Sequence, residues 1–440
     1  MDWVYFVAKS LFAFIVMNIG LTVVAFLVYF ERKVAAHMQA RMGPNRAGPL
    51  GLFQSFADLI KMLKKEDTTP AGADKWVFFL APIVSTFAAL GALAVIPFGP
   101  SYKQLGGLDV LGQNIGWSIA ADVNVGMLVI LAFSSLGVYG LLMAGWGSNS
   151  KYSLLGGLRA SAQAISYEIT LGLSLIGVFL LTSSLNLSEI VGAQHPLLHT
   201  NAQPGIWIIL LQPVAFIIFL TSAIAETNRT PFDLPEAESE LVGGFHVEYS
   251  GIRFGLFFLS EYIAMVTISA VISVCFLGGW SSPLDGLMAN TNIPVLTGLL
   301  AGGPHWLILK IAGFIFMYYW LRWTLPRFRY DQLMGLCWKV FLPVTLLNIV
   351  TLAVLKLIFF PPVAPGTPQP AYDPTFWWIL AAIQMAFGVA AILGLSRLAG
   401  LSWFGRAERP VLVERPLILV RNVHGGRGTI EGEARPVTRQ

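Results

Sequence analysis

Two glutamates stand inside long apolar runs: Glu168 in ASAQAISYEITLGLSL and Glu261 in FFLSEYIAMV. A charge left at mid-membrane on a translocon scale costs roughly 2.5–3.5 kcal/mol, so such acids face protein or water and often mark ion paths. The bland alternative is a neutral, hydrogen-bonded glutamic acid that glues helices together. Nearby, residues 226–253 read ETNRTPFDLPEAESELVGGFHVEYSGIR. Glu226, Asp233, Glu236, Glu238, Glu240 and Glu248 oppose only Arg229 and Arg253. If 235–241 is helical, Glu236 and Glu240 lie one turn apart and repel. Solvation would disperse that repulsion. Burial would instead drive the loop acids toward a neutral-range pKa, the property of a proton carrier. Arg229, three residues after Glu226, can hold that acid ionised or release it.

A cationic loop forms the second constellation. ERKVAAHMQARMGPNRAGP (31–49) carries Arg32, Lys33, Arg41 and Arg46, and Gly43–Pro44 and Gly48–Pro49 break it twice. By default these cations meet anionic headgroups. In GLFQSFADLIKMLKKED (51–67), Leu52, Phe53, Phe56, Leu59, Ile60 and Leu63 follow the spacing of one helical face. Asp58, Lys61, Lys64 and Lys65 accompany them, which predicts an amphipathic interfacial helix. It serves either as a plain anchor or as the wall of an opening for a lipid-like ligand.

The elements that must position these groups are membrane helices. Of 440 residues, 55% are hydrophobic and 12% charged, with mean hydropathy +0.68. Soluble domains carry about a quarter of their residues as charges, so a soluble or disordered protein is excluded. A net charge of +4, dispersed, gives no argument for nucleic acid. Nine segments can span a bilayer, at roughly 6–30, 77–97, 123–146, 164–182, 206–225, 254–277, 305–323, 339–359 and 375–395. Of 28 Lys and Arg, 24 fall in the alternate loops 31–76, 147–163, 226–253 and 322–339 and in the tail from 396. The positive-inside rule then places the N-terminus outside and the C-terminus inside. The expected fold is all-α, a polytopic transmembrane bundle of about nine spans with one interfacial amphipathic helix. Asp2, Lys9 and the absence of a small-residue cleavage motif argue against a cleavable signal.

Other chemistry is not signalled. Cys275 and Cys337 are too few to hold an iron–sulfur cluster alone. GGRGTIEG near the C-terminus misses the dinucleotide spacing and follows no strand of a βαβ unit. His195 and His199 are four apart but separated by Pro196, a poor metal pair, so no metal is expected.

Four stretches nevertheless carry a resemblance. They are ERKVAAHMQARMGPNRAGPLGLFQSFADLIKMLKKED (31–67), GWGSNSKYSLLGGLRASAQAISYE (145–168), AETNRTPFDLPEAESELVGGFHVEYSG (225–251) and RWTLPRFRYDQLMGLCWK (322–339). Over residues 1–360 the chain resembles the H subunit of bacterial proton-pumping NADH–quinone oxidoreductase, respiratory complex I, whose mitochondrial counterpart is the first membrane-encoded NADH dehydrogenase subunit. The resemblance implies a membrane-arm subunit, in the bacterial inner membrane, that forms a chamber for ubiquinone or menaquinone and begins a carboxylate path toward the pumping subunits. Arg32, Arg41 and Asp58 fall on chamber positions. Glu168, Glu226, Asp233, Glu236, Glu238, Glu240 and Glu261 fall on the path, with Arg229 beside it. Catalysis in isolation is not expected. FMN and the iron–sulfur clusters would sit on partner subunits; the partners would be the other membrane-arm and peripheral-arm subunits, membrane lipid and quinone. Residues 1–360 would be the chamber domain of eight spans, 361–395 an additional ninth span, and 396–440 an Arg-rich tail, partly disordered. An anchor subunit of a related membrane-bound hydrogenase, or a stand-alone proton-coupled transporter, are the alternative classes.

Overall fold

A computed structural model describes residues 3–99, 108–110, 113–115, 123–195, 205–233, 242–283, 302–359 and 374–398. Each of the nine expected segments is helical. The first is α1 (Trp3–Met38), followed by the surface helix α2 (Gln54–Lys64), α3 (Lys75–Ala94), α4 (Gly126–Gly147) and α5 (Lys151–Thr182). The chain continues through α6 (Leu187–Gln194), α7 (Ile208–Leu211), α8 (Pro213–Glu226), α9 (Gly251–Phe276) and α10 (Pro304–Thr324). The series closes with α11 (Tyr330–Leu336), a π turn over Cys337–Phe341, α12 (Leu342–Phe359) and α13 (Pro374–Leu398). A three-residue antiparallel pair, β1 (Leu108–Val110) with β2 (Gln113–Ile115), is an ornament on a helical fold.

Seven of the described helical stretches are long and apolar enough to cross a membrane: Phe6–Met38, Lys75–Ala94, Gly126–Gly147, Lys151–Thr182, Gly251–Phe276, Tyr330–Ile358 and Trp377–Gly394. The fifth expected span falls short because it is broken. Pro213 has no N–H to donate and starts a new helix after Gln212, leaving Pro213–Glu226 as a 14-residue apolar helix. The seventh, α10, has 21 residues, with Lys310 and Arg322 among its apolar ones. The fourth is longer than its apolar stretch. α5 starts at Lys151, so most of the expected inside loop 147–163 is its first turns, about 48 Å of helix in all.

Small residues set the helix crossings, as expected where packing rather than hydrophobicity joins helices. A Cβ on Gly140 of α4 would meet the Ser85 backbone nitrogen of α3 at 2.9 Å. One on Gly156 of α5 would meet the Gly244 and Phe245 backbone at 2.7 Å. Asp74 caps α3 by accepting from the Trp76 and Val77 amides, and Asn186 caps α6 the same way from Ser188 and Glu189. α5 and α9 are the most buried of the seven, and α1 the most exposed. Glu168 and Glu261, on those two helices, are themselves half-buried. The loop acids Glu236, Glu238 and Glu240 lie outside the described residues, and so does the tail 401–440.

Candidate functional site

The cationic loop and surface helix meet first. After α1 the chain turns at Gly48, where φ is 75°, and at Gly51, where φ is 83° and a Cβ would strike the Pro44 carbonyl. That turn lays α2 beside α1. Arg32 Nη1 then donates to Asp58 Oδ2 at 2.5 Å, and Lys61 and Gln54 each reach Asp58 Oδ1 at 3.3 Å. Burial alone would lift the Asp58 carboxyl, but the hydrogen bond and charge of Arg32, with Lys61 behind them, hold it below the usual carboxylate range. Phe53, Phe56, Leu59, Ile60 and Leu63 present an exposed apolar face, as the periodicity predicts. Arg41 stands apart. It is exposed, bonds Gln39 Oε1 at 2.7 Å and makes no ion pair among the described residues.

Deeper, a guanidinium–carboxylate knot joins four parts of the chain. Glu31, in the C-terminal part of α1, accepts from Tyr262 of α9 at 2.5 Å and from Arg322 of α10. Arg229, in the segment after α8, lies 3.5 Å from Glu31 and 3.8 Å from Glu261, with its guanidinium 4.4 Å from the Tyr262 ring centre. Glu31 is 4% exposed and Arg229 6%, so neither charge is solvated and each depends on the other. Two cations and two anions balance. Sequence reading placed Arg229 and Glu261 here but missed Glu31, Tyr262 and Arg322. The available signal was an acid ending an apolar run, Phe30–Glu31–Arg32. Nothing local could show that its second cation lies 291 residues away.

A hydroxyl pair links the remaining acids. The adjacent Ser134 and Ser135 of α4 each donate to a carboxylate, Ser134 to Glu226 at the end of α8 and Ser135 to Glu168 of α5. The other Glu226 oxygen has no hydrogen-bond partner among the described residues. Thr170 and Ser222 bridge α5 and α8 at 2.8 Å. Gln163 clamps the turn beyond α8, donating to the carbonyls of Ala225 and Phe232 at 2.8 Å. A cavity of about 120 Å³ reaches Ser134, Glu226, Asn228, Ser260, Glu261 and Thr267, room for roughly four waters. It places Glu226 and Glu261 on one wall-to-wall space. Ser134 and Ser135 were also missed, because hydroxyls in an apolar run read as small packing residues.

Toward the surface, Asp233 accepts from Arg327 at 3.0 Å. His246 sits edge-on to Phe245 and Phe254, with ring centres 4.9 and 5.2 Å away. Burial there pushes its pKa down to about 4, the Asp233 charge opposing by less. Among the described residues no three side chains of metal-ligating type cluster.

Helices of membrane length that bury acids among hydroxyls and guanidiniums define a multi-pass membrane protein with an internal polar seam. The chain belongs to the NADH dehydrogenase family, whose model matches residues 11–353. It is similar to three bacterial proteins, each named as the H subunit of NADH-quinone oxidoreductase. That of Thermomicrobium roseum is 50% identical over 360 residues, 81% of this chain and 98% of the relative. That of Rhodospirillum centenum is 51% identical over 336 residues, 76% and 90%. That of Frankia alni is 44% identical over 412 residues, 92% and 83%. A contiguous match of that last share must include the ninth apolar segment. The chain is thus a membrane subunit of NADH–quinone oxidoreductase, multi-pass in the bacterial inner membrane.

Proposed function

We propose that this subunit walls a quinone chamber and holds the first stretch of a proton path within a proton-translocating NADH–quinone oxidoreductase. The observation that carries the reading is the seam itself. Glu168, Glu226 and Glu261 come from three different helices, and serine hydroxyls and a small cavity join them. The chamber mouth is framed by α1, α9 and α2, and the Arg32–Asp58 pair backs an apolar face of α2 that suits an isoprenoid tail. Arg41, Glu236, Glu238 and Glu240 belong to the chamber and path by family resemblance alone. Residues 1–360 form the chamber domain, and 361–395 and the tail from 396 are additions. The charge bias of the loops sets the N-terminus outside. Other subunits of the complex hold FMN and the iron–sulfur clusters, so electrons reach the chamber from outside this chain.

Reduction of quinone takes up protons as well as electrons. Charge appearing in the chamber acts on the balanced knot around Arg229, which touches Glu31 and Glu261. A shift in that balance changes how firmly Glu261 is held ionised. Glu226 shares the cavity with Glu261, and the two serines couple it to Glu168. Proton occupancy thereby passes across α9, α8, α4 and α5.

The test is the assembled complex carrying Glu168→Gln or Glu226→Gln. Each should lower NADH:quinone reduction while leaving NADH oxidation by ferricyanide at the wild-type rate. Wild-type quinone reduction in both variants overturns the proposal.

A further inference from the structure

At the opposite ends of the helices lies an open pocket of about 730 Å³, away from the acids above, with Ser183 and Glu189 exposed at its mouth. That volume is in the range of small-molecule sites. Its lining comes from the residues just before α4, the end of α5, the start of α6 and the last turn of α12. These are ends of three membrane-length helices, so the cavity lies at headgroup depth. Asn124, Ser183, Ser184 and Asn186 make it polar, and Phe179 and Leu185 give it an apolar side.

Only two lining residues are charged, Lys356 and Glu189. Each has a local tether. The Lys356 ammonium donates to the Leu180 carbonyl and to Ser183 Oγ, and so complements the C-terminus of α5. Glu189 stands in the first turn of α6, where one oxygen accepts from Ser184 Oγ at 2.5 Å. Among the described residues no ion pair joins them, although they line the same cavity. The ammonium has three N–H groups, and two are accounted for. The carboxylate likewise has a second oxygen beyond the one that Ser184 holds.

A cation and an anion held apart on one cavity's walls match a ligand that carries both charges. A purely anionic headgroup would gain Lys356 but meet the repulsion of Glu189. Anionic-lipid sites instead gather several Lys or Arg. A quaternary ammonium has no N–H for a carboxylate. We propose that this cavity binds the phosphoethanolamine headgroup of a membrane phospholipid, the phosphate at Lys356 and the primary ammonium at Glu189, with its chains leaving past Phe179 and Leu185. The source is lipid rather than a soluble zwitterion because of the depth and the apolar side. The proposal is independent of the proton path.

The test reconstitutes the whole complex into phosphatidylcholine vesicles with a trace of photoactivatable phosphatidylethanolamine, then maps the cross-links by peptide mass spectrometry. Label should fall on residues 179–189 or around Lys356. Unlabelled phosphatidylethanolamine should compete at least about tenfold better than phosphatidylglycerol, a difference of about 1.4 kcal/mol. Glu189→Gln and Lys356→Gln should each cut labelling about tenfold, while Lys356→Arg, which keeps the cation, retains it. The proposal is overturned by absent label, by label indifferent to headgroup or unchanged in both Gln variants, by equal competition from phosphatidylglycerol, or by competition from soluble phosphoethanolamine.

Discussion

Glu31→Gln removes one anion from the knot and leaves two guanidiniums facing a single carboxylate. The Gln side chain is isosteric and can still accept from Tyr262, so the change isolates the charge. Arg229 is then buried with only Glu261, 3.8 Å away, to balance it. Removing one partner of a buried ion pair costs roughly 3–5 kcal/mol. At about 2 °C per kcal/mol, the lower figure for longer chains, the melting midpoint falls by about 6–10 °C. The comparison is Lys61→Gln, whose 3.3 Å pair with Asp58 sits on a 68% exposed side chain. Exposed pairs contribute about 0–1 kcal/mol, so that variant shifts by about 2 °C or less. A thiol-reactive dye reads both in the purified full chain, because Cys275 and Cys337 are buried until it unfolds. Adding Arg322→Gln to Glu31→Gln restores one cation to one anion and should recover at least about 2 °C, a non-additivity expected of groups in contact. If Glu31→Gln melts within about 2 °C of Lys61→Gln, or if the double variant is simply additive, the balanced-knot reasoning fails.

Three further outcomes follow from the geometry. His246 titrates at about 4 when folded against 6.5 ordinarily, so between those values the unfolded chain binds a proton that the folded one does not. Stability therefore falls as pH drops from 6.5 to 4, by up to about 3 kcal/mol, and thermal melts followed by circular dichroism from pH 7 to pH 4 should show a shallower loss in His246→Gln. Ser134→Ala and Ser135→Ala delete the donors to Glu226 and Glu168, each deletion worth about 1–3 kcal/mol. Each should slow quinone reduction about tenfold in the complex, whereas the Thr variants, which keep the hydroxyl, should stay within about twofold. Gly156→Ala must push the 242–250 segment off α5 and should destabilise by about 1–3 kcal/mol. Gly172→Ala, on the same helix with open space for a Cβ, should be neutral or gain up to about 1 kcal/mol in the same melts.

The helices were legible because bilayer length and apolarity act locally: all nine expected segments are helical. Their ends were less so. Lys151–Gln163 escapes an apolar window because α5 buries that stretch through Ser153, Gly156, Ser161 and Gln163, which pack on protein rather than lipid. The break at Gln212–Pro213 was missed because the apolar run continues through it. In the site, acids inside apolar runs announced Glu168 and Glu261, and local charge excess announced Glu226 and Asp233. Amphipathic spacing gave α2 and its Asp58. The partners of those acids were not legible. Arg322 with Glu31, Tyr262 with Glu31 and the serine pair with its two carboxylates are contacts between distant segments, and a single sequence carries no record of them. Arg41 shows the converse. It shares the cationic loop with Arg32, yet only Arg32 reaches Asp58.

The central claim is that Glu226 couples quinone reduction to proton movement. Its most direct measurement is the number of protons translocated per NADH oxidised by the complex in sealed vesicles, wild type against Glu226→Gln and Glu226→Asp, at matched rates of quinone reduction. The ratio should fall in Glu226→Gln and recover in part in Glu226→Asp, which keeps an ionisable carboxyl beside Ser134. A wild-type ratio in Glu226→Gln would contradict that claim.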